Sequence, residues 1–229
     1  MTGHKKIGHL IMAANSLGRD EDVPSRSLEA LRKADLLIFE EDRGARRALK
    51  AAGITRSYAK LSEHREQGVL DEAEAALRAG NTVCYMSDQG MPVIADPGRE
   101  LVALAHLLKA RLTIIPGPSS ITTALSACPF PITSFRYVGF PERETGRRDA
   151  QLRRWTTNNE ALVILDTPYR LEALIDACGR AFGANRRAVL AIDISGEKEG
   201  FFYDSLQGLK ATLKNSERLN FVLIIAPPS

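Results

Sequence analysis

Short, mostly aliphatic runs alternate with longer stretches of helical spacing through the first half of the chain, and no other feature limits the possible folds as strongly. The runs are Ile7 to Ala13, Leu36 to Glu40, Thr82 to Ser87 and Leu112 to Ile115, and near-continuous apolar runs of that length suit strands buried on both faces. Asp71, Ala73, Ala76 and Leu77 lead to Gly80, a glycine placed where a helix ends in the left-handed conformation, and Gly53 closes an earlier helix in the same way. Parallel strands cannot be joined by a tight turn; each needs a crossover, usually a helix. The first half therefore reads as α/β with a parallel sheet.

The segment Ile115-Pro116-Gly117-Pro118-Ser119-Ser120 breaks regular structure, and its serines can cap a helix over Ile121 to Ser126. It sets the expected boundary between an N-terminal α/β lobe, 1–116, and a C-terminal α/β lobe, 117–229. Strands are expected at Phe135 to Gly139, Ala161 to Asp166, Ala188 to Ile194, Phe201 to Tyr203 and Phe221 to Ile225, with helices near Arg147 to Trp155 and Leu171 to Phe182. The last strands follow one another closely, so part of this second sheet should be antiparallel.

With 229 residues, 44% hydrophobic and 26% charged, the chain can bury a core and carries no sign of disorder. A net charge of +3 is too small to drive binding to nucleic acid or an anionic membrane by itself. Any RNA contact needs a local patch, and Arg143, Arg147, Arg148, Arg153 and Arg154 form the one basic cluster, which a solvated helix face explains equally well. Cys84, Cys128 and Cys178 lie far apart without metal-ligand spacing and read as reduced core thiols. The apolar run after the polar Met1 to Lys6 falls far short of the ~20 residues of a membrane span, so no membrane association and a cytoplasmic location are expected.

Ligands of parallel sheets bind outside the carboxyl ends of the strands, where loops and helix N-termini converge. The exit of the Thr82 to Ser87 strand carries Ser87-Asp88-Gln89-Gly90-Met91-Pro92-Val93-Ile94-Ala95-Asp96-Pro97-Gly98, with two Gly, two Pro and two Asp in twelve residues. Such a loop exposes main-chain donors and acceptors. It could instead be a stiff turn that only starts a helix at Arg99. A second Pro- and Gly-shaped exit, at Ile115 to Ser120, favours a site.

The pattern Ser-Asp-x-Gly-x-Pro-x-Ile-x-Asp-Pro-Gly at 87–98, followed by Pro-Gly-Pro-Ser at 116–119, resembles the tetrapyrrole methylase superfamily. Within it the chain looks most like the bacterial ribosomal small-subunit RNA ribose 2′-O-methyltransferases. Glu40 to Arg43 is similar to that group's Glu-Asp-Thr-Arg, Glu63-His64 to its Glu-His-Asn-Glu, Gly139-Phe140-Pro141 to its Gly-Phe-Leu-Pro, and Thr167-Pro168-Tyr169-Arg170 to its Ser-Pro-His-Arg. The likeness runs from about Leu10 to about Ile225. It implies a two-lobed α/β fold, a mixed sheet in the second lobe, S-adenosylmethionine bound between the lobes, and a homodimer. Carried over by position, it implies cofactor contacts at Asn15 and Leu17, at Asp88, Met91 and Ile94, at Ser119 and Ser120, at Asp166, Thr167 and Pro168, and near Ala226.

With that cofactor bringing the methyl, neither a metal nor a covalent nucleophile is needed; the protein aligns the acceptor and excludes water. A hydroxyl acceptor must lose its proton, and Glu41, Asp42 and His64 are the first candidates to take it, with Asp88 and Tyr169 behind them. Arg43, Tyr169 and Arg170 are the expected substrate contacts, the arginines positioning phosphate.

The chain departs from the group's pattern in places. Its first loop reads Ala13-Ala14-Asn15-Ser16-Leu17-Gly18 where the group has Thr-Pro-Ile-Gly-Asn, Arg65 replaces an Asn, and Ile192-Asp193-Ile194-Ser195 replaces Arg-Glu-Leu-Thr. It stops at Ser229, where the RNA-modifying relatives continue into a small helical domain, so that domain is expected to be absent. The resemblance thus implies methylation of ribosomal RNA on the small subunit, with a tetrapyrrole or other small-molecule methylase, or a cofactor-binding paralogue without turnover, as alternatives.

Overall fold

The computed structural model of the protein describes residues 7–61, 66–155, 159–213 and 218–228. The chain divides into two compact units, Met1–Ser119 and Ser120–Ser229, a few residues beyond the expected boundary at Pro116.

The first unit runs β1 (His9–Ala13), α1 (Ser25–Lys33), β2 (Leu36–Phe39), α2 (Asp42–Ala52), β3 (Ala59–Lys60), α3 (Glu66–Arg78), β4 (Thr82–Met86), α4 (Arg99–Leu108) and β5 (Arg111–Ile115). Its sheet has the order β3-β2-β4-β1-β5, and every pairing in it is parallel. The expected glycine stops are present. Gly53 sits at φ 68° beyond α2 and donates to the carbonyl of Lys50, and Gly80 at φ 89° donates to that of Leu77.

Side-chain alternation along the strands divides this core in two. Ala13, Phe39, Cys84 and Met86 pack against α1 and α2 on one face, while Met12, Ile38, Val83 and Tyr85 pack against α3 and α4 on the other. The chain steps from β1 past β4 to β2 and β3, then returns to β4 and crosses β1 to reach β5. Crossovers of a single hand put helices that travel in opposite directions on opposite faces. So β1 and β4, which are neighbours, leave the sheet toward opposite faces and open a crevice between their carboxyl ends, the place where such sheets bind ligands.

The second unit runs α5 (Ser120–Ser126), β6 (Phe135–Gly139), α6 (Thr145–Trp155), β7 (Ala161–Asp166), α7 (Leu171–Phe182), β8 (Arg187–Ile192), β9 (Gly200–Ser205), α8 (Leu206–Thr212) and β10 (Phe221–Ile225). The sheet order is β6-β7-β10-β8-β9. β6 and β7 pair in parallel, and the pairs β7–β10, β10–β8 and β8–β9 are antiparallel, which makes this the mixed sheet expected. Helices α6, α7 and α8 cover Leu162, Ile164, Leu190 and Leu223 on one face, and α5 covers Val163, Val189, Val222 and Ile224 on the other.

The basic cluster on α6 is not one solvated face. Arg147, Arg153 and Arg154 are exposed, but Arg148 is 6% exposed. The three cysteines are free thiols, Cys84 and Cys178 buried and Cys128 half-buried. Burial pushes the Cys84 thiol up to about 12 and the Cys128 thiol up to about 11, so neither carries the thiolate that reactivity needs.

Candidate active site

Three strand exits of the first unit are tied together at the β1/β4 crevice. The Asn15 main-chain amide donates across it to the Gly90 carbonyl at 2.8 Å, and the Gly90 amide donates back to the Ser16 carbonyl at 3.1 Å. The Asn15 side chain, 3% exposed, donates to the carbonyls of Ser87 (3.1 Å) and Asp88 (2.9 Å) and accepts from the Ser16 amide (2.8 Å). Every polar group of that side chain is thereby used in joining the two loops. The resemblance puts Asn15 against the cofactor, and its side chain ties the first loop to the long one. Arg47 of α2 holds the outer part of the same loop, donating to the Ser16 hydroxyl and to the Gly18 carbonyl (2.8 Å).

Gly90 is the residue this arrangement cannot replace. Its φ is 65°, and a β-carbon there would lie 2.9 Å from Leu17 Cδ2 and 3.1 Å from the Pro118 carbonyl oxygen. The loop thus passes between the first loop and the Pro-Gly-Pro turn with backbone alone. Val93 (φ 79°) and Ala95 (φ 64°) also adopt the left-handed conformation, which is unfavourable for any residue with a β-carbon and most of all for a β-branched one. Strain of this kind persists where the surroundings enforce it and is concentrated at ligand-binding sites. Along this path Met91 is half-buried and Ile94 is 52% exposed, so both present apolar surface; Ser119 and Ser120 are half-buried.

Asp88 points the other way, toward α2. Its carboxylate accepts from the Glu41 amide at the helix N-terminus (3.3 Å), and its own amide donates to the Glu40 carboxylate (3.3 Å). Gly44 permits this, since a β-carbon at Gly44 would land on Asp88 Oδ1. Asp88 is therefore a helix cap that fixes the loop to the end of β2. Its carboxyl is raised above the usual range, burial outweighing the Glu41 hydrogen bond.

The candidate bases fall apart in space and chemistry. Asp42, in the first turn of α2, accepts from the Tyr58 hydroxyl (3.0 Å) and from Lys60 (2.9 Å). Those bonds, with that to Lys60 the stronger, hold its carboxyl below the usual range, which makes it a poor proton acceptor. Glu41 is exposed at the α2 N-cap, beside Asp88, and Arg43 is exposed within the first turn of the same helix. His64 lies outside the described residues. Tyr85 is fully buried in β4 with no hydrogen-bond partner for its hydroxyl; the charges of Glu40 and Asp96 act on it, and unlike those two, which fall in the motifs above, it is singled out by nothing in the sequence. Among the described residues no group of three or more His, Cys, Asp and Glu could hold a metal ion.

In the second unit, Asp166 ends β7 with its side chain fully buried and paired to Arg170 at 3.2 Å. One carboxylate oxygen accepts from the Thr167 amide (2.7 Å); the other has no hydrogen-bond partner. Arg170 also donates to the carbonyls of Pro141 (3.2 Å) and Glu142 (2.7 Å). Arg170, a substrate contact under the resemblance, is 13% exposed at its side chain and helps hold the exit of β7. Thr167 and Pro168 are half-buried, and Tyr169 is 64% exposed. The main chain of Ala226 is also occupied, its amide donating to the Arg187 carbonyl (2.9 Å) and its carbonyl accepting from Arg186 (3.4 Å).

The family model described as Tetrapyrrole (Corrin/Porphyrin) Methylases matches residues 10–209. A protein named Ribosomal RNA small subunit methyltransferase I from Pseudomonas aeruginosa is 33% identical over 82% of this chain and 67% of its own length. Its namesake from Escherichia coli O157:H7 is 31% identical over 92% of this chain and 73% of its own. Among solved structures, a uroporphyrin-III-C-methyltransferase from Thermus thermophilus superposes with a TM-score of 0.64 at 17% identity, covering 96% of this chain and 94% of that one. A diphthine synthase superposes with a TM-score of 0.70 at 16% identity, covering 96% and 90%. At those identities the solved structures speak for the fold alone, while the family model and the relatives above 30% speak for descent. With the family model spanning most of its length, the chain belongs to the tetrapyrrole (corrin/porphyrin) methylases and is a methyltransferase.

Proposed function

We propose that this chain transfers the methyl group of S-adenosylmethionine to a ribose 2′-hydroxyl of ribosomal RNA in the small ribosomal subunit. The observation that carries the reading is the main-chain cradle at the β1/β4 crevice, together with two relatives above 30% identity that are both named ribosomal RNA small subunit methyltransferase I. The residues present fit the cofactor. Gly90 leaves backbone where a side chain would close the path, the strained turns at Val93 and Ala95 expose amides and carbonyls, and Leu17, Met91 and Ile94 add apolar surface. A zwitterionic tail, a ribose and an adenine are all groups that main-chain donors and acceptors can hold.

When bound, the cofactor supplies an activated methyl on a sulfonium. What remains for the chain is to place the acceptor oxygen in line, exclude water and accept one proton. Glu41 is the described carboxylate best suited to take that proton, because it stands at the strand exit, remains exposed, and is not engaged as Asp42 is. Arg43 beside it is exposed and in place to meet phosphate.

The same reading makes the protein a cytoplasmic homodimer. Self-association is supported by β9, an edge strand on which Phe201, Phe202 and Tyr203 are 41%, 42% and 48% exposed; a long apolar edge is normally covered. Among the described residues no helix is long and apolar enough to cross a membrane.

Small subunits from cells lacking the protein, incubated with it and methyl-labelled S-adenosylmethionine, should gain one 2′-O-methyl. Glu41→Ala should slow that transfer by about 10²–10⁴-fold with cofactor affinity kept. Label entering a tetrapyrrole and not the RNA would overturn the choice of acceptor.

A further inference from the structure

The connection from β1 to α1 is seated on the crevice at both of its ends. At one end Leu17 stands over the crossing of the loops, its Cδ2 2.9 Å from where a β-carbon of Gly90 would lie. At the other end Pro24 packs on the Pro-Gly-Pro turn, its Cγ 2.8 Å from where a β-carbon of Gly117 would lie. Between them the chain bends through a short 3-10 turn, Asp20–Asp22, in which every residue is exposed. A stretch with no buried side chain has no packing of its own to fix it. Whatever holds Leu17 in place must therefore reach it from another element.

Arg47 does this from α2. Its Nη2 donates to the Ser16 hydroxyl and to the Gly18 carbonyl (2.8 Å), the two neighbours of Leu17, and its Nε donates to the Asp20 carboxylate (2.6 Å). Ser16 is buried, and its carbonyl accepts from the Gly90 amide at 3.1 Å, so the grip passes directly to the long loop. One planar guanidinium meets three acceptors on three residues, which an ammonium on a flexible stem does not reproduce. The pair with Asp20, whose side chain is 58% exposed, contributes little by itself; the bonds to Ser16 and Gly18 carry the grip. In the sequence Arg47 is only one of three arginines between positions 43 and 47, and of the others Arg46 turns back on the Asp42 carbonyl (3.2 Å).

We propose that Arg47 is a positioning residue for the methyl donor: by gripping both neighbours of Leu17 it holds that side chain over the Gly90 crossing and completes the apolar wall of the cradle. The role toward the donor rests on the reading of this crevice as the S-adenosylmethionine site. The grip on the two loops does not, because it is made within the chain by groups already in contact.

Two measurements test this. Hydrogen exchange on the chain without cofactor reads the grip at the Gly90 amide: Arg47→Ala should lower its protection about tenfold or more, while the amides of β4 keep theirs. Calorimetric titration with S-adenosylhomocysteine reads the role toward the donor: Arg47→Ala should raise the dissociation constant about 10–100-fold, the worth of a hydrogen bond to a charged group. Leu17→Ala should also weaken binding, and adding Arg47→Ala to it should cost less than about threefold more, because the two act as one unit. Asp20→Asn should change either reading less than about twofold. Should Arg47→Ala not fold, Arg47→Lys carries the same tests, with smaller losses of the same kind. An unchanged Gly90 amide, or a loss of protection shared equally by β4, would overturn the grip. Fully additive losses in the double variant would overturn the route through Leu17. A wild-type chain that binds no S-adenosylhomocysteine would refute the proposed function while the exchange result stands by itself.

Discussion

Replacing Gly90 with valine is expected to abolish S-adenosylmethionine binding and to lower the unfolding free energy by about 2–5 kcal/mol. Two terms add. A β-branched residue at φ 65° is strained, and its β-carbon would be driven against Leu17 Cδ2 and the Pro118 carbonyl. The strain alone does not decide the outcome, because Val93 already tolerates φ 79° in the same loop. The collision does: relief requires parting the long loop from the first loop and from the Pro-Gly-Pro turn, which dismantles the cradle. Gly183 provides the control. It has φ 96° with nothing within 4 Å of a β-carbon, so Gly183→Ala should show the strain alone, about 1–2 kcal/mol, and bind cofactor normally. Urea unfolding measures the first quantity and calorimetric titration the second. Equal effects of the two substitutions on binding would contradict this assignment of the cradle.

The second large effect is expected at Asp166. Asp166→Ala removes the buried anion facing Arg170, whose side chain is 13% exposed, and Arg148, which is 6% exposed. Uncompensated buried cations should cost about 3–5 kcal/mol. Asp166→Asn should cost less, because the bond from the Thr167 amide survives. The comparison also has a pH signature. Burial raises the Asp166 carboxyl, outweighing the Thr167 bond and the attraction of Arg170. A folded-state value above the unfolded one contributes stability that is complete below the unfolded value and is lost as pH rises through the folded one. The wild type should therefore lose ground to Asp166→Asn as pH is raised across the acidic range; a gain would mean that the ion pair, not burial, governs this carboxyl.

How far the sequence can be read follows from what each residue depends on. Strands β4, β7, β8 and β10 stand out because their apolar runs are set by burial on both faces, a property each segment carries by itself. Helix α1 gives little sign of itself, with only Ser27, Ala30 and Leu31 buried behind an acidic connection. Strand β3 is two residues long and exists only through its pairing with Ile38 and Phe39. The site divides in the same way. A loop made of Gly, Pro and Asp at a strand exit is visible in one dimension, but what each of its side chains does depends on which exits are neighbours. The order β3-β2-β4-β1-β5 brings Asn15 to Ser87 and Asp88 to the start of α2. The side chains of Asn15, Asp42 and Arg170 each have partners that the sequence alone does not show. Gly44 has no signal in the sequence at all, since its purpose is to leave room for the Asp88 carboxylate, which arrives from the far end of another strand.

Whether the methyl donor sits in the β1/β4 crevice of the first unit is tested most directly by a crystal of the protein grown with S-adenosylhomocysteine. Density for the nucleoside is expected along the main chain from Gly90 to Ile94, with Gly90 still at positive φ. Density for the ligand elsewhere on the chain, with this crevice filled by the protein's own side chains, would contradict it.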